Sequence, residues 1–169
     1  MVRERPSATI SGEATICKGS ETELTIDISG EGTGPWSVTL SNGITYTTDV
    51  NSLIVKVKPD NTITYTIVSL QGAYCAAADL SSSATVTVNP LPTATITYAS
   101  PVCATGVASA QLTATLGGTF SSTEGLDIDP TTGDINLEAS TPGTYEITYS
   151  FSNGNCNNST TASITINAL

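Results

Sequence analysis

The sequence predicts an all-β chain built as two tandem immunoglobulin-like β-sandwich domains. Three observations predict it. Short segments alternate apolar and polar residues, turn-forming residues fall between those segments, and the whole pattern occurs twice along the chain. Alternation with a period of two is what a strand with one buried and one wet face requires. About seven such strands with turns at regular spacing make a sandwich.

In the first half Leu24, Ile26 and Ile28 alternate with Glu23, Thr25 and Asp27, and Trp36, Val38 and Leu40 alternate with Ser37 and Thr39. Leu53, Val55 and Val57 then alternate with Ile54, Lys56 and Lys58, and Ile63, Tyr65 and Ile67 with Thr62, Thr64 and Thr66, before Val86 and Val88 close the set. Gly30 to Pro35, Ser41-Asn42-Gly43 and Pro59-Asp60-Asn61 separate these runs. Asn42-Gly43 is a tight-hairpin signal, because glycine reaches the left-handed region without penalty. In the second half Leu126-Asp127-Ile128 and Ile135-Asn136-Leu137 flank a proline-glycine turn, and Tyr145, Ile147 and Tyr149 alternate with Glu146 and Thr148. Pro142-Gly143-Thr144-Tyr145 resembles the approach to the sixth strand of such sandwiches, where a tyrosine hydroxyl bonds back to the main chain. Tyr65 is the expected equivalent in the first half.

The duplication sets the domain organisation. Pro6 to Ser11 is matched by Pro92 to Thr97 and Cys17 by Cys103, both at an offset of 86. Ala84 to Leu91 mirrors Ala162 to Leu169 at an offset of 78, so the second repeat is the shorter. This predicts domains at 1–90 and 91–169, joined by Asn89-Pro90-Leu91-Pro92. Two prolines make such a linker short and semi-rigid. Domains of about 80 residues sit near the lower limit of a self-sufficient core.

Composition narrows the function classes. The 169 residues carry a net charge of −10, with only 12% charged residues and no histidine. A nucleic-acid binder needs a basic face, and docking on anionic lipid needs basic clusters, so both classes are set aside. No stretch approaches the ~20 apolar residues of a membrane-spanning helix. Residues 91–169 hold Glu124, Asp127, Asp129, Asp134, Glu138 and Glu146 with no Lys or Arg, a net charge of −6 to be met by solvent, cations or a partner. Met1 to Arg5 is followed by no apolar run of the kind that marks a signal peptide, and the chain is expected to be an internal piece of a longer one.

Four cysteines allow three pairings. Repeat logic favours Cys17–Cys75 and Cys103–Cys156, each contributing on the order of 4 kcal/mol by constraining the unfolded chain. The alternative is four reduced, buried thiols. A strict immunoglobulin topology makes the pairing awkward, since it sets Cys17 before the second strand and Cys75 after the sixth, at opposite ends of the sandwich.

Catalytic chemistry is poorly provided for. Without histidine there is no Ser-His-Asp or Cys-His arrangement, and no phosphate-binding or nucleophile-elbow motif occurs. The chain is expected not to be an enzyme. The sharpest binding candidate is calcium at Asp127, Asp129 and Asp134, which lie around one turn with Glu124 nearby, because hard cations take several carboxylate oxygens. The run Asp129-Pro130-Thr131-Thr132-Gly133 also looks like a hairpin common in cadherin-like repeats. The competing reading is plain turn chemistry, with Asp capping the turn and Gly taking a positive φ. Trp36 is either a sugar-stacking platform or a core tryptophan, and its place in an alternating strand favours the core; Tyr46, Tyr74 and Tyr98 are weaker candidates of the same kind. Asn157-Asn158-Ser159-Thr160 holds two overlapping glycosylation sequons.

Taken together, Ala14 to Cys17, Gly32 to Val38, Thr62 to Thr66, Ala84 to Pro92, Gly117 to Ser122, Gly125 to Ile135, Ser140 to Tyr145 and Gly154 to Cys156 resemble the Ig-like repeats of very large SprB-type cell-surface adhesins of gliding bacteria. The resemblance implies a non-catalytic structural and adhesive segment. It would be exported across the outer membrane, carried along the cell surface, flanked by neighbouring repeats of the same chain, and applied to an external surface or polysaccharide. The alternative reading is a carbohydrate-binding module of a secreted protein, calcium-dependent if the aspartates bind; a third is a domain attached to a secreted hydrolase.

Overall fold

The computed structural model describes residues 5–30, 34–72, 80–114 and 117–169. The fold is all-β and divides into two compact units, Met1–Asn89 and Pro90–Leu169, one residue from the expected boundary. Each unit has its own hydrophobic core, and the two cores share no residue.

The first unit runs β1 (Ser7–Ser11), β2 (Ala14–Cys17), β3 (Thr22–Ser29), β4 (Trp36–Leu40), β5 (Thr45–Thr48), β6 (Ser52–Val57), β7 (Ile63–Gln71) and β8 (Ser83–Asn89). One sheet has the order β1-β3-β6 and the other β2-β8-β7-β4-β5. Most of the predicted inward set, from Leu24, Ile26 and Ile28 to Val86, is buried in this core, while Leu53, Ile63 and Val88 are only partly so. The opening segment serves both sheets: β1 pairs antiparallel with β3, and β2 pairs parallel with β8. Gly12 makes that crossing. Its φ is +111°, and a Cβ there would come within 2.6 Å of the Glu23 carbonyl oxygen, so both backbone and space require glycine.

Two features escape the alternation rule. Strand β5 is Thr45-Tyr46-Thr47-Thr48, an edge strand with little apolar signal. In β7 the register against β4 shifts, with Leu40 opposite Ile67 but Thr39 opposite Ser69, so Val68 is the extra residue of a bulge and faces solvent. The Asn42-Gly43 turn is a three-residue loop rather than a two-residue one. Leu40 N bonds Ile44 O at 3.0 Å, Gly43 N bonds Leu40 O at 2.9 Å, and Gly43 takes φ +82°. This is a type I turn closed by a glycine bulge.

The second unit contains β9 (Ala94–Thr97), β10 (Val102–Cys103), β11 (Val107–Ala108), β12 (Gln111–Ala114), β13 (Thr119–Ser122), β14 (Ile135–Asn136), β15 (Gly143–Ser152) and β16 (Asn157–Asn167). A four-stranded sheet has the order β10-β16-β15-β13, and two smaller ladders join β9 to β12 and β11 to β14. The plan of the first unit returns: β9 pairs with β12 while β10 runs parallel to β16. The long β15–β16 hairpin is the spine. Its inward Tyr145, Ile147, Tyr149 and Phe151 pack with Phe120, Ile135 and Ile164, and the Phe120 and Tyr149 rings stand 4.5 Å apart.

Candidate functional site

The Asp127–Asp134 turn is built from its backbone outward. Leu126 and Ile128 pack against the second core, and Ile128 bridges Ile135. This brings the two sides of the turn together. Asp129 N donates to Asp134 O at 2.8 Å and Gly133 N to Asp129 O at 2.9 Å. The Asp129 carboxylate folds back on its own turn, where Oδ1 accepts from Thr131 N at 2.7 Å and Thr132 N at 3.0 Å. Those two amides, Thr132 foremost, hold its carboxyl below the usual carboxylate range. Gly133 takes φ +76°, and a Cβ there would lie 2.7 Å from the Phe120 ring. The loop crosses so closely that only glycine fits.

Asp127 and Asp134 do not join Asp129 around a common point. Asp127 is exposed; its main chain is held by Ser140 Oγ, which accepts from Asp127 N at 2.9 Å and donates to Asn136 O at 2.7 Å. Asp134 acts instead on Tyr98, whose hydroxyl donates to Gly133 O at 2.7 Å and whose pKa is pushed up to about 12, chiefly by burial and then by the Asp134 charge. Among the described residues no group of three or more acidic, cysteine or histidine side chains is placed to hold a metal ion. The calcium expectation at Asp127, Asp129 and Asp134 is therefore corrected. Asp129 Oδ1 is taken by two main-chain donors, Asp134 lies toward Tyr98, and the Asp127 side chain stands exposed apart from both.

The cysteine expectation is corrected as well. Cys103 is an exposed, free thiol, so the Cys103–Cys156 bridge does not form. The reason lies in the strands. Cys103 sits opposite Asn167 at the far end of β16, whereas Cys156 immediately precedes the first residue of that strand. Eleven residues of extended chain separate the two ends by roughly 30 Å, far beyond the ~7 Å Cα separation a disulfide can span. Cys17 and Cys156 are both in disulfide linkage. Cys75 and Tyr74 lie outside the described residues.

Trp36 is a core residue, 3% exposed on β4, and its Nε1 has no hydrogen-bond partner among the described residues. Tyr46 and Tyr98 are half-buried against the two cores. Trp36 is therefore closed to a stacked sugar, while the two tyrosines keep part of their surface in solvent. The linker is tied to the second unit by two side-chain amides: Asn153 Nδ2 donates to Pro90 O at 3.4 Å and Asn158 Nδ2 to Pro92 O at 2.9 Å. Nothing in the sequence marks these amides for that task, since Asn158 reads only as a sequon residue.

One open groove of about 620 Å³ lies where β13, β15 and β16 end, lined by Gly117, Thr119, Ser150, Ser152, Asn157 and Ser159 among others, all without charge. Such a lining offers hydroxyl and amide hydrogen bonds to a neutral polar ligand.

No protein-family model and no curated protein sequence matches the chain. Among solved structures it is similar to the fibronectin(III)-like modules of Clostridium thermocellum CbhA, at 10% identity and a TM-score of 0.39, covering 96% of this chain and 95% of that one. It is also similar to extracellular domains 3–5 of Drosophila OTK, at 12% identity and a TM-score of 0.34, covering 93% of this chain and 63% of that one.

Proposed function

We propose that this chain is a non-catalytic repeat segment of a large bacterial cell-surface adhesin that serves surface attachment and gliding, and that it works outside the outer membrane. The observation that carries the reading is the duplicated unit. Two sandwiches follow one plan, each closed around its own core, with a proline-rich linker between Asn89 and Pro92. Such modules extend a chain by addition, because each folds on its own contacts. The oxidised Cys17 and Cys156 support an oxidising compartment. The resemblance to SprB-type repeats supplies the cell-surface role.

Antibody raised against the purified chain tests this on intact cells that make it. Labelling of unpermeabilised cells, with bound beads carried along the surface, is the expected result. Labelling only after permeabilisation would overturn the reading.

The uncharged groove beside Asn157 favours a second reading, in which the chain is itself a carbohydrate-binding module. Binding to a panel of soluble and insoluble polysaccharides separates the two. Saturable binding to one class, weakened by Asn157→Ala, would make this a recognition module. No binding would leave a spacer whose adhesive tip lies elsewhere on the parent.

A further inference from the structure

The tripeptide Ser-Asn-Gly occurs twice, as Ser41-Asn42-Gly43 between β4 and β5 and as Ser152-Asn153-Gly154 between β15 and β16. Both asparagines and both glycines are exposed. In an Asn-Gly pair the glycine nitrogen reaches the preceding side-chain amide with least hindrance, since no Cβ stands in the way. By sequence the two sites are equally reactive. The structure makes them unequal.

Asn153 is held from three sides. Its Oδ1 accepts from Asn155 N at 3.1 Å and Cys156 N at 2.8 Å, and its Nδ2 donates to Pro90 O at 3.4 Å. The attacking nitrogen, Gly154 N, is engaged with Ser152 Oγ at 3.1 Å. Cys156, which anchors the turn, is buried and disulfide-bonded. Among the described residues Asn42 has one side-chain bond, from Ile44 N to Oδ1 at 3.1 Å. Among the described residues Gly43 N is held only by Leu40 O, at the exposed tip of the β4–β5 hairpin, the kind of segment that opens most readily.

We propose that Asn42 is a site of spontaneous deamidation in the folded protein and that Asn153 is protected. Gly43 N attacks Asn42 Cγ, a new N–Cγ bond closes a five-membered imide, and the side-chain nitrogen leaves with protons as ammonia. Water then adds to either imide carbonyl and opens the ring to aspartate or isoaspartate at position 42. One water is consumed, one ammonia is released, and nothing is oxidised or reduced. The tip gains a negative charge, and the isoaspartyl product inserts a methylene into the main chain of the bracket between Leu40 and Ile44. Among the described residues strand β5 is the outermost strand of its sheet and pairs only with β4, so the change loosens a sheet edge.

Peptide mapping by mass spectrometry after incubation at mildly alkaline pH tests this, on folded protein and on reduced, denatured protein. In the denatured chain Asn42 and Asn153 convert at the same rate. In the folded protein Asn42 converts faster than Asn153 by about tenfold or more. Equal rates in the folded protein, earlier conversion of Asn153, or no conversion at Asn42 while the denatured chain reacts would each overturn the proposal.

Discussion

The phenolic oxygen of Tyr145 lies 2.6 Å from the carbonyl oxygen of Thr141, four residues before it, and donates its hydrogen there. The same hydroxyl is 3.3 Å from Gly125 O. It thereby pins the start of β15 to the loop that leaves β13, at the point where the chain changes sheets. Tyr65, expected to be its counterpart, makes no such bond among the described residues. Replacing Tyr145 with Phe keeps the buried ring and removes only the hydroxyl. It should cost about 1 kcal/mol of unfolding free energy, because a part-buried hydrogen bond to Thr141 O is lost. Denaturant titration of Y145F checks it; a midpoint equal to that of the unmodified chain would show that the bond stabilises nothing.

Tyr98 predicts an alkaline limb. Its folded pKa of about 12 exceeds the ordinary 10.0, so the neutral hydroxyl favours the fold. By linkage that contribution is whole below pH 10.0 and is lost as pH rises through about 12. Melting temperature against pH should fall over that window in the unmodified chain and fall less in Tyr98→Phe. The variant should also start about 1 kcal/mol lower at neutral pH for want of the bond to Gly133 O.

Asp129 predicts an acid limb. Its folded pKa is depressed below the ordinary 3.8, so its contribution is present above pH 3.8 and is lost as pH falls through the lower folded value. Asp129→Asn keeps an acceptor for Thr131 and Thr132 but cannot titrate. The expected result is a flatter acid limb in the variant, read by thermal melts below about pH 4. Parallel limbs would mean that other carboxylates govern acid unfolding.

The separate cores predict separable damage. Leu24→Ala empties a site in the first core and Ile147→Ala one in the second, and both residues are fully buried. Each substitution should cost about 2–5 kcal/mol in its own unit. Calorimetry should resolve a lowered transition for the damaged unit and an unshifted one for the other. A single transition shifted by either variant would show that the units unfold together.

Cys103 should react with a maleimide in the folded, unreduced protein, as peptide mapping would show. Absence of label there would mean that the thiol is paired.

Much of the fold is legible in the order of the residues. The alternation around Leu24, Trp36, Leu53, Ile63 and Tyr145 marks strands and their inward faces, because burial on one side of a pleat leaves a period-two trace whatever its partner. Strand β5 leaves no such trace, since an edge strand of threonines buries little. Val68 is hidden because a bulge adds one residue and resets the alternation.

The sequence by itself determined the class, the duplication, the boundary near Pro90 and the acidic, histidine-free chemistry, all of which are local or compositional. Only the tertiary structure decided which groups meet. It set Cys103 and Cys156 at opposite ends of one strand, turned the Asp129 carboxylate onto its own amides, and gave two identical Ser-Asn-Gly turns different surroundings. Those outcomes depend on register and on which strands lie side by side, and pairing across a sheet is set by contacts between residues far apart in the chain.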